Sequence, residues 1–303
     1  MKKIAVIGSI NVDIVVEAER RPRQGETIFG ESFSVHAGGK GANQAVAAAK
    51  LGGEVSMFGC VGDDAYGKEM IRNLMKNGVD TRKIDTCEKV STGMANIIVA
   101  ENDNSIIVIK GANGCVDKSY VKKIHKDLFA SDYVLLQHEI PMETVKYVIE
   151  ECNKLGIVSI LNPSPFQILD DDTIGRIDYL ILNEHEATEM FKEYESIEKM
   201  LIHYPKKMLV TLGEKGTIFY DGKKLVQIPA IKDASVIDTT GAGDTFSGAF
   251  VKALAEDAPL DKAVEFAQYA SGLSVEKLGA QDGMPTYEEV MKRMKEERGG
   301  LKK

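Results

Sequence analysis

Residues Asp238 to Phe250 read DTTGAGDTFSGAF. A glycine-rich turn runs directly into a carboxylate and then into an apolar stripe, Phe246, Ala249, Phe250, Ala253 and Leu254, at helical spacing. Without a Cβ, Gly241 and Gly243 let the backbone fold tightly and aim successive N–H groups at one point, and the following helix adds the positive end of its dipole. A phosphate fits such a place. The carboxylate of Asp244 does not, because it repels an anion unless a proton or cation mediates. Asp at a glycine-rich helix start is also a common cap, so the segment reads either as an ordinary helix start or as an anion cradle with a base built into it.

Outward from this segment, apolar runs of strand length alternate with helix-period segments, the pattern of βαβ units around a largely parallel sheet. The strand candidates are Lys3 to Gly8, Val55 to Val61, Tyr133 to Gln137, Val158 to Asn162, Tyr179 to Asn183 and Met208 to Leu212. They are mostly Val, Ile and Leu, as strands covered on both faces should be. Helices are expected from Pro141 to about Leu155, after a cap at Asp117 or Ser119, and over the Ala-rich stretch Ala42 to Leu51. Two regions break the alternation, residues 11–36 and 92–110, where NVDIVVEA, ETIFGESFSVH, MANIIVA and SIIVIK follow one another with no helix between. These read as a small antiparallel sheet standing off the main one, a lid whose apolar outer face invites a partner.

The 303 residues exceed the usual ~100–200 per domain, but α/β folds commonly run longer as one unit, so a single domain over residues 1–303 with a lid is expected. Composition is that of a soluble globular protein: 44% hydrophobic, 28% charged, no Trp. The net charge of −8, with Lys and Arg dispersed, disfavours a nucleic-acid partner. Asn11 and Asp13 interrupt the N-terminal apolar run too early for a signal peptide, and no run reaches membrane-spanning length. A cytoplasmic location is therefore expected, with Cys60, Cys87, Cys115 and Cys152 as reduced structural thiols. The terminal RGGLKK reads as a frayed tail.

Three further groups carry chemistry or a plainer structural reading. Asn11 and Asp13, at i and i+2 after a buried strand, share one face, or they satisfy a turn. The run Gly38-Gly39-Lys40-Gly41-Ala42-Asn43 lets a ligand approach the backbone, with Lys40 and Asn43 as donors, or forms a left-handed turn and helix start. It is neither a Walker A loop nor GxGxxG. Asn183 to Glu186, NEHE, ends a predicted strand at the edge where open α/β sheets bind ligands, and Asn with Glu suits the water shell of Mg²⁺. Asn183 and Glu186 also fit a capping box, and His185 reads as a surface helix residue. There is no GxSxG, HExxH or paired Cys/His set.

Together, GSINVD at Gly8 to Asp13, GGKGANQAVAAAKLG at Gly38 to Gly52, LNE at Leu182 to Glu184, TLGEKG at Thr211 to Gly216 and DTTGAGDTFSGAF resemble the ribokinase branch of the PfkB carbohydrate kinase family. The resemblance implies a three-layer α/β/α sandwich, a β-sheet lid that forms a homodimer interface, and transfer of the γ-phosphoryl of ATP to a sugar hydroxyl. It makes Asp244 the base and the N–H groups of Gly241, Ala242, Gly243 and Asp244 the anion hole. Sugar contacts would be Asn11, Asp13, Gly39, Lys40, Asn43 and Glu139 of QHEIP. Asn183 and Glu186 would serve nucleotide and hydrated Mg²⁺, Thr211, Gly213 and Gly216 would line the ATP site, and Gln268 would lie near adenine.

The resemblance further implies potassium beside the anion hole, at Asp238, Thr240, Ser274, Lys277, Gly279 and Gly283. Relatives often carry a hydroxyl where this chain has Gly283, and activation is expected to survive on backbone carbonyls. A set rich in amides and carboxylates with only Lys40 as a cation suits a neutral polyol, which favours ribose over fructose phosphates. The alternatives are a kinase for another small sugar or a nucleoside (deoxyribose, fructose, adenosine), or a sugar-sensing relative. A sensor would need neither Asp244 nor the glycine turn.

Overall fold

The structure, a computed structural model, describes residues 2–101, 103–232 and 234–300. Period-2 alternation along the central strands sets its layers. In β1 (Lys3–Ile7), Ile4 and Val6 point into one apolar cluster while Ala5 and Ile7 point into another. β8 (Tyr133–Gln137) divides in the same way, Tyr133 and Leu135 to the first cluster and Val134 and Leu136 to the second. A sheet with two apolar faces must be covered twice, and helices do so. α1 (Lys40–Lys50), α2 (Ala65–Lys76), α8 (Ala242–Ala255), α9 (Leu260–Ser274) and α10 (Tyr287–Gly300) pack on the first face. α3 (Lys118–Leu128), α4 (Met142–Leu155), α5 (Asp171–Arg176), α6 (Glu184–Met190) and α7 (Ile197–His203) pack on the second.

The remaining strands of this sheet are β4 (Glu54–Gly62), β5 (Asp80–Cys87), β9 (Val158–Asn162), β10 (Tyr179–Asn183), β11 (Met208–Thr211), β12 (Thr217–Tyr220) and β13 (Leu225–Ile228). The order is β13-β12-β11-β10-β9-β8-β1-β4-β5, parallel except at β11–β12 and β12–β13. The six strands expected from sequence are present within a residue or so of their predicted ends. β5 was not anticipated, because as an edge strand only partly covered it carries the mixed sequence DTRKIDTC. β12 and β13 are four residues each, too short for a periodic signal.

A second sheet has the order β3-β2-β6-β7, with β2 (Asn11–Glu17), β3 (Ser32–Gly38), β6 (Gly93–Ala100) and β7 (Asp103–Ile109). Its outer pairings are antiparallel as expected, but β2 and β6 run parallel, which corrects the all-antiparallel reading. The two hairpins leave the main sheet in the same direction, so their inner strands meet side by side. All of β7 is exposed, including Ile106, Ile107, Val108 and Ile109.

All four cysteines are free thiols, and burial pushes Cys152 up to about 12. Of the expected tail, residues 298–300 continue α10, and 301–303 lie outside the described residues. Among the described residues no helix is long and apolar enough to cross a membrane.

Two features of this frame place the site. The connection after β1 returns through α1 on one face, whereas that after β8 returns through α4 on the other, so the strand order reverses between β1 and β8 and a crevice opens at their carboxyl ends. Against that crevice α8 lies on α1 at very close range. A Cβ on Gly248 would sit 2.6 Å from the carbonyl oxygen of Gln44 and 2.7 Å from Ala47 Cβ. This explains a glycine inside a helix, where it costs about 1 kcal/mol relative to alanine.

Candidate active site at the strand-order reversal

The ends of β1 and β8 are tied directly. Ser9 Oγ donates to Glu139 Oε2 at 2.5 Å, and the same oxygen accepts the backbone N–H of Lys40 at 2.9 Å. One oxygen of Glu139 is thereby fixed at the start of α1. Asn11 opens the lid and is buried; its Oδ1 accepts from Asn113 Nδ2 at 2.7 Å, and Asn113 Oδ1 accepts the N–H of Ile10 at 2.9 Å. Two positions on, Asp13 turns into the crevice a buried Oδ1 that has no hydrogen-bond partner among the described residues. Gly39 and Lys40 lie at the N-terminus of α1, where Gly39 adopts φ 87°.

Asp244 sits in the first turn of α8 and is 5% exposed. Both carboxylate oxygens are held by α1: Asn43 Nδ2 donates to Oδ2 and Gln44 Nε2 to Oδ1, each at 3.0 Å. Asn43 Oδ1 in turn accepts from Gln281 Nε2 at 2.9 Å. The amide of Asn43, expected as a sugar contact, is therefore also a brace for Asp244. The N–H groups opening a helix have no partner within it. Among the described residues the N–H groups of Gly241, Gly243 and Asp244 have none, while that of Ala242 bonds Thr239 O at 3.2 Å. A Cβ on Gly243 would meet nothing within 4 Å.

Asp244, Gly241 and Gly243 line a cavity of about 220 Å³ with Lys40, Asn183, Glu186 and Thr211. Asn183 and Glu186 do form the capping box: Glu186 N–H to Asn183 Oδ1 at 2.8 Å and Asn183 N–H to Glu186 Oε2 at 3.0 Å. That use takes one oxygen of Glu186 and leaves Oε1 for the cavity. Gly213 and Gly216 fall outside its lining, in the turn joining β11 to β12. Gln268 is buried in α9, and its Oε1 accepts from Thr217 Oγ1 at 2.7 Å, holding that helix to β12. His185 is exposed on α6, as expected.

Beside α8, both oxygens of Asp238 are engaged, by the N–H of Thr240 and by that of Gly279, each at 2.9 Å. This pins the turn before α8 to the loop after α9. Burial pushes the Asp238 carboxyl up, but these hydrogen bonds outweigh it and the net shift is downward. The side chain of Lys277 turns away to pair with Glu289. The carbonyls of Ser274 and Gly279 each come within 2.8 Å, and that of Lys277 within 3.2 Å, of the point where a Gly283 Cβ would lie. Three carbonyl oxygens thus converge where the expected side-chain ligand is missing.

The crevice is strongly acidic. Burial pushes the Asp13 carboxyl up to about 7, and the charges of Glu139 and Asp244 push it the same way. Lys40 is the compensating charge: burial disfavours its ammonium, but Asp244, Glu139 and Glu186 outweigh burial and the net shift is upward.

Sequence reasoning missed Ser9, Gln44, Asn113, Gln137, Asn162 and Gln281. Gln44 had a signal, a glutamine in the otherwise small and apolar QAVAAA run of α1. Ser9 and Gln137 lay inside GSINVD and QHEIP, beside residues that were singled out, whereas Asn113, Asn162 and Gln281 are single polar residues with no local pattern.

A family model described as pfkB family carbohydrate kinase matches residues 1–287. The ribokinase of Bacillus subtilis (strain 168) is 47% identical over 290 residues, covering 96% of this chain and 98% of that protein. A Lactococcus lactis ribokinase is 45% identical over 297 residues, covering 98% of each. A ribokinase of Arabidopsis thaliana, solved in complex with ribose and ATP, superposes with a TM-score of 0.88 at 34% identity, covering 97% of this chain and 99% of that one. Across nearly its whole length, this chain belongs to the pfkB family of carbohydrate kinases.

Proposed function

We propose that the chain transfers the γ-phosphoryl group of ATP to the 5-hydroxyl of D-ribose, with Asp244 as the base. The observation that carries this is one juxtaposition: a braced carboxylate and three bare N–H groups at the same helix end, facing one cavity. The sugar lies at the β1/β8 crevice against Asn11, Asp13, Gly39, Lys40, Asn43 and Glu139. Its hydroxyl approaches Asp244, which takes the proton as the new P–O bond forms and the bond to the ADP oxygen breaks. The N–H groups of Gly241, Gly243 and Asp244 meet the oxygens of the moving phosphoryl. Such transfer asks mainly for alignment and charge stabilisation, so a weak base suffices.

The nucleotide extends from the α8 N-terminus past Thr211 toward Gly213, Gly216 and Gln268. Mg²⁺, held through its water shell by Asn183 and the free oxygen of Glu186, supplies charge neutralisation on the phosphates. Potassium fits the carbonyls of Ser274, Lys277 and Gly279, beside the Asp238–Thr240 turn and Gly283. Ribose is favoured over a sugar phosphate because Asp13, Glu139 and Asp244 would repel a second phosphate with only Lys40 to answer it. The ribokinases similar across the whole chain, one of them solved with ribose and ATP, support the same choice.

A coupled ADP-release assay over pentoses, hexoses and nucleosides, with potassium or an equal concentration of choline, tests this reading. Ribose should turn over best and faster with potassium. Preference for a nucleoside, a hexose or deoxyribose would refute the substrate, and equal rates in the two salts would refute the cation site.

Asp13 gives a pH dependence. Below about 7 the empty enzyme holds a proton on this group, and sugar hydroxyls donate better to the carboxylate. Sugar affinity should therefore rise with pH through that value, by at most about tenfold per unit. Calorimetric titration from pH 6 to 8 should show this tightening in the wild type and a weaker, flat response in Asp13→Asn. Affinity that is flat in the wild type, or that tightens toward acid, contradicts it.

The exposed apolar strand β7 is the face on which a second copy would dock, making a homodimer through the lid. Sedimentation should find a species of twice 33.2 kDa, converted to monomer by Ile107→Lys; a wild-type monomer would refute the dimer.

A further inference from the structure

Gln44 is fully buried in the middle of α1. Burying an amide is costly unless both its ends are bonded, and here both are. Its Oε1 accepts from Gln137 Nε2 at 2.6 Å; its Nε2 donates to Asp244 Oδ1 at 3.0 Å and lies 3.3 Å from Asn162 Oδ1. These partners decide which way round the amide sits. Asn162 Nδ2 must donate to the carbonyl of Ile181, at 3.1 Å, so Asn162 Oδ1 faces Gln44 as an acceptor. An ionised Asp244 is an acceptor as well. Two acceptors on one side force the nitrogen of Gln44 toward them, and Gln137 then supplies the donor its oxygen needs.

Gln137 closes β8 and Asn162 closes β9, so the brace is anchored in the central sheet and not in the lid or a loop. Asp244 has alternatives without it. The half-buried ammonium of Lys40 and the unpaired N–H groups of its own helix end all attract a carboxylate that is free to rotate.

We propose that Gln44 is a positioning residue of the phosphoryl transfer: with Gln137 behind it, it fixes the rotamer of Asp244 and keeps that carboxylate off the N–H groups that must stay free for the phosphoryl oxygens. This rests on the reading of Asp244 as the base. Asn43 holds the other oxygen but also faces the sugar, whereas Gln44 lies beneath the site and bonds, of the cavity's lining, only Asp244 and Asn162, of which Asp244 alone is the proposed reacting group. Its loss should therefore appear in kcat and not in the KM for sugar.

A double-mutant cycle separates this from general damage. Asp244→Asn should lower kcat by about 10²–10⁴-fold, the usual contribution of a base. Gln44→Met, of similar length but unable to donate, should lower kcat by on the order of 10²-fold, as misplacement of a reacting group does, with both KM values close to wild type. In the Asp244→Asn background, Gln44→Met should then cost nothing further. If it lowers turnover there by the same factor as in the wild type, or leaves wild-type kcat unchanged, Gln44 is structural and the inference falls. Wild-type turnover in Asp244→Asn would instead overturn the base assignment and this inference with it. Gln137→Met, which leaves Gln44 in place but removes the donor that orients it, should give a smaller loss of kcat that also vanishes in the Asp244→Asn background; an additive loss overturns the proposal even if Gln44→Met folds poorly.

Discussion

Two hydrogen bonds between α1 and α8, from Asn43 and Gln44 to the two oxygens of Asp244, join segments 201 and 200 residues apart and hold the candidate active site together. They require the helices to cross almost backbone to backbone, which Gly248 permits. They also require the helix ends to meet above the β1/β8 reversal, which follows from the parallel sheet being covered on both faces. The apolar stripe of DTTGAGDTFSGAF therefore serves chemistry indirectly. Phe246 and Phe250 bury the body of α8 so that its first turn is held where α1 can reach it.

The same placement concentrates negative charge. Glu139, Asp244 and Glu186 surround one lysine, and Asp13, which feels the charges of Glu139 and Asp244, has a buried oxygen left unpaired among the described residues. Such an arrangement is costly when empty and becomes favourable when hydroxyls arrive to donate. A polyol is thus the complement of this crevice, and an anion is tolerated only at the α8 end, where N–H groups await it. The lid roots Asn11 and Asp13 in the crevice while its outermost strand projects apolar side chains outward, so one small sheet reaches both the crevice and the outer face of the molecule.

Much of this was legible in the chain itself. Strands such as Tyr133–Gln137 and Val158–Asn162 announce themselves because burial on both faces demands unbroken Val, Ile and Leu runs. The glycine turn, GGKGAN and NEHE were legible because close backbone approach and capping restrict residue type. The parallel pairing of β2 with β6 was not, since nothing local distinguishes a strand that will pair parallel. Gln137, Asn162 and Gln281 were hidden for a related reason: a lone amide at the end of a strand or in a loop looks like surface until tertiary structure buries it and aims it at a neighbour. For Asn183 and Glu186 the structure shows the capping box, which uses one oxygen of Glu186 and leaves the other on the cavity.

On the proposed reading, bare N–H groups at the start of α8 receive the phosphoryl group while Asp244 is held beside them. Gly243→Ala tests it most directly, because a methyl there meets no protein atom within 4 Å and projects into open space at the helix end. An unfolding midpoint equal to or above that of the wild type is expected, since alanine is favoured over glycine in a helix, with ribose affinity retained and turnover lowered by on the order of 10²-fold, because the methyl leaves every N–H in place but bars the phosphoryl oxygens from reaching donors worth about that much. Turnover at the wild-type rate in a normally folded Gly243→Ala enzyme would contradict it.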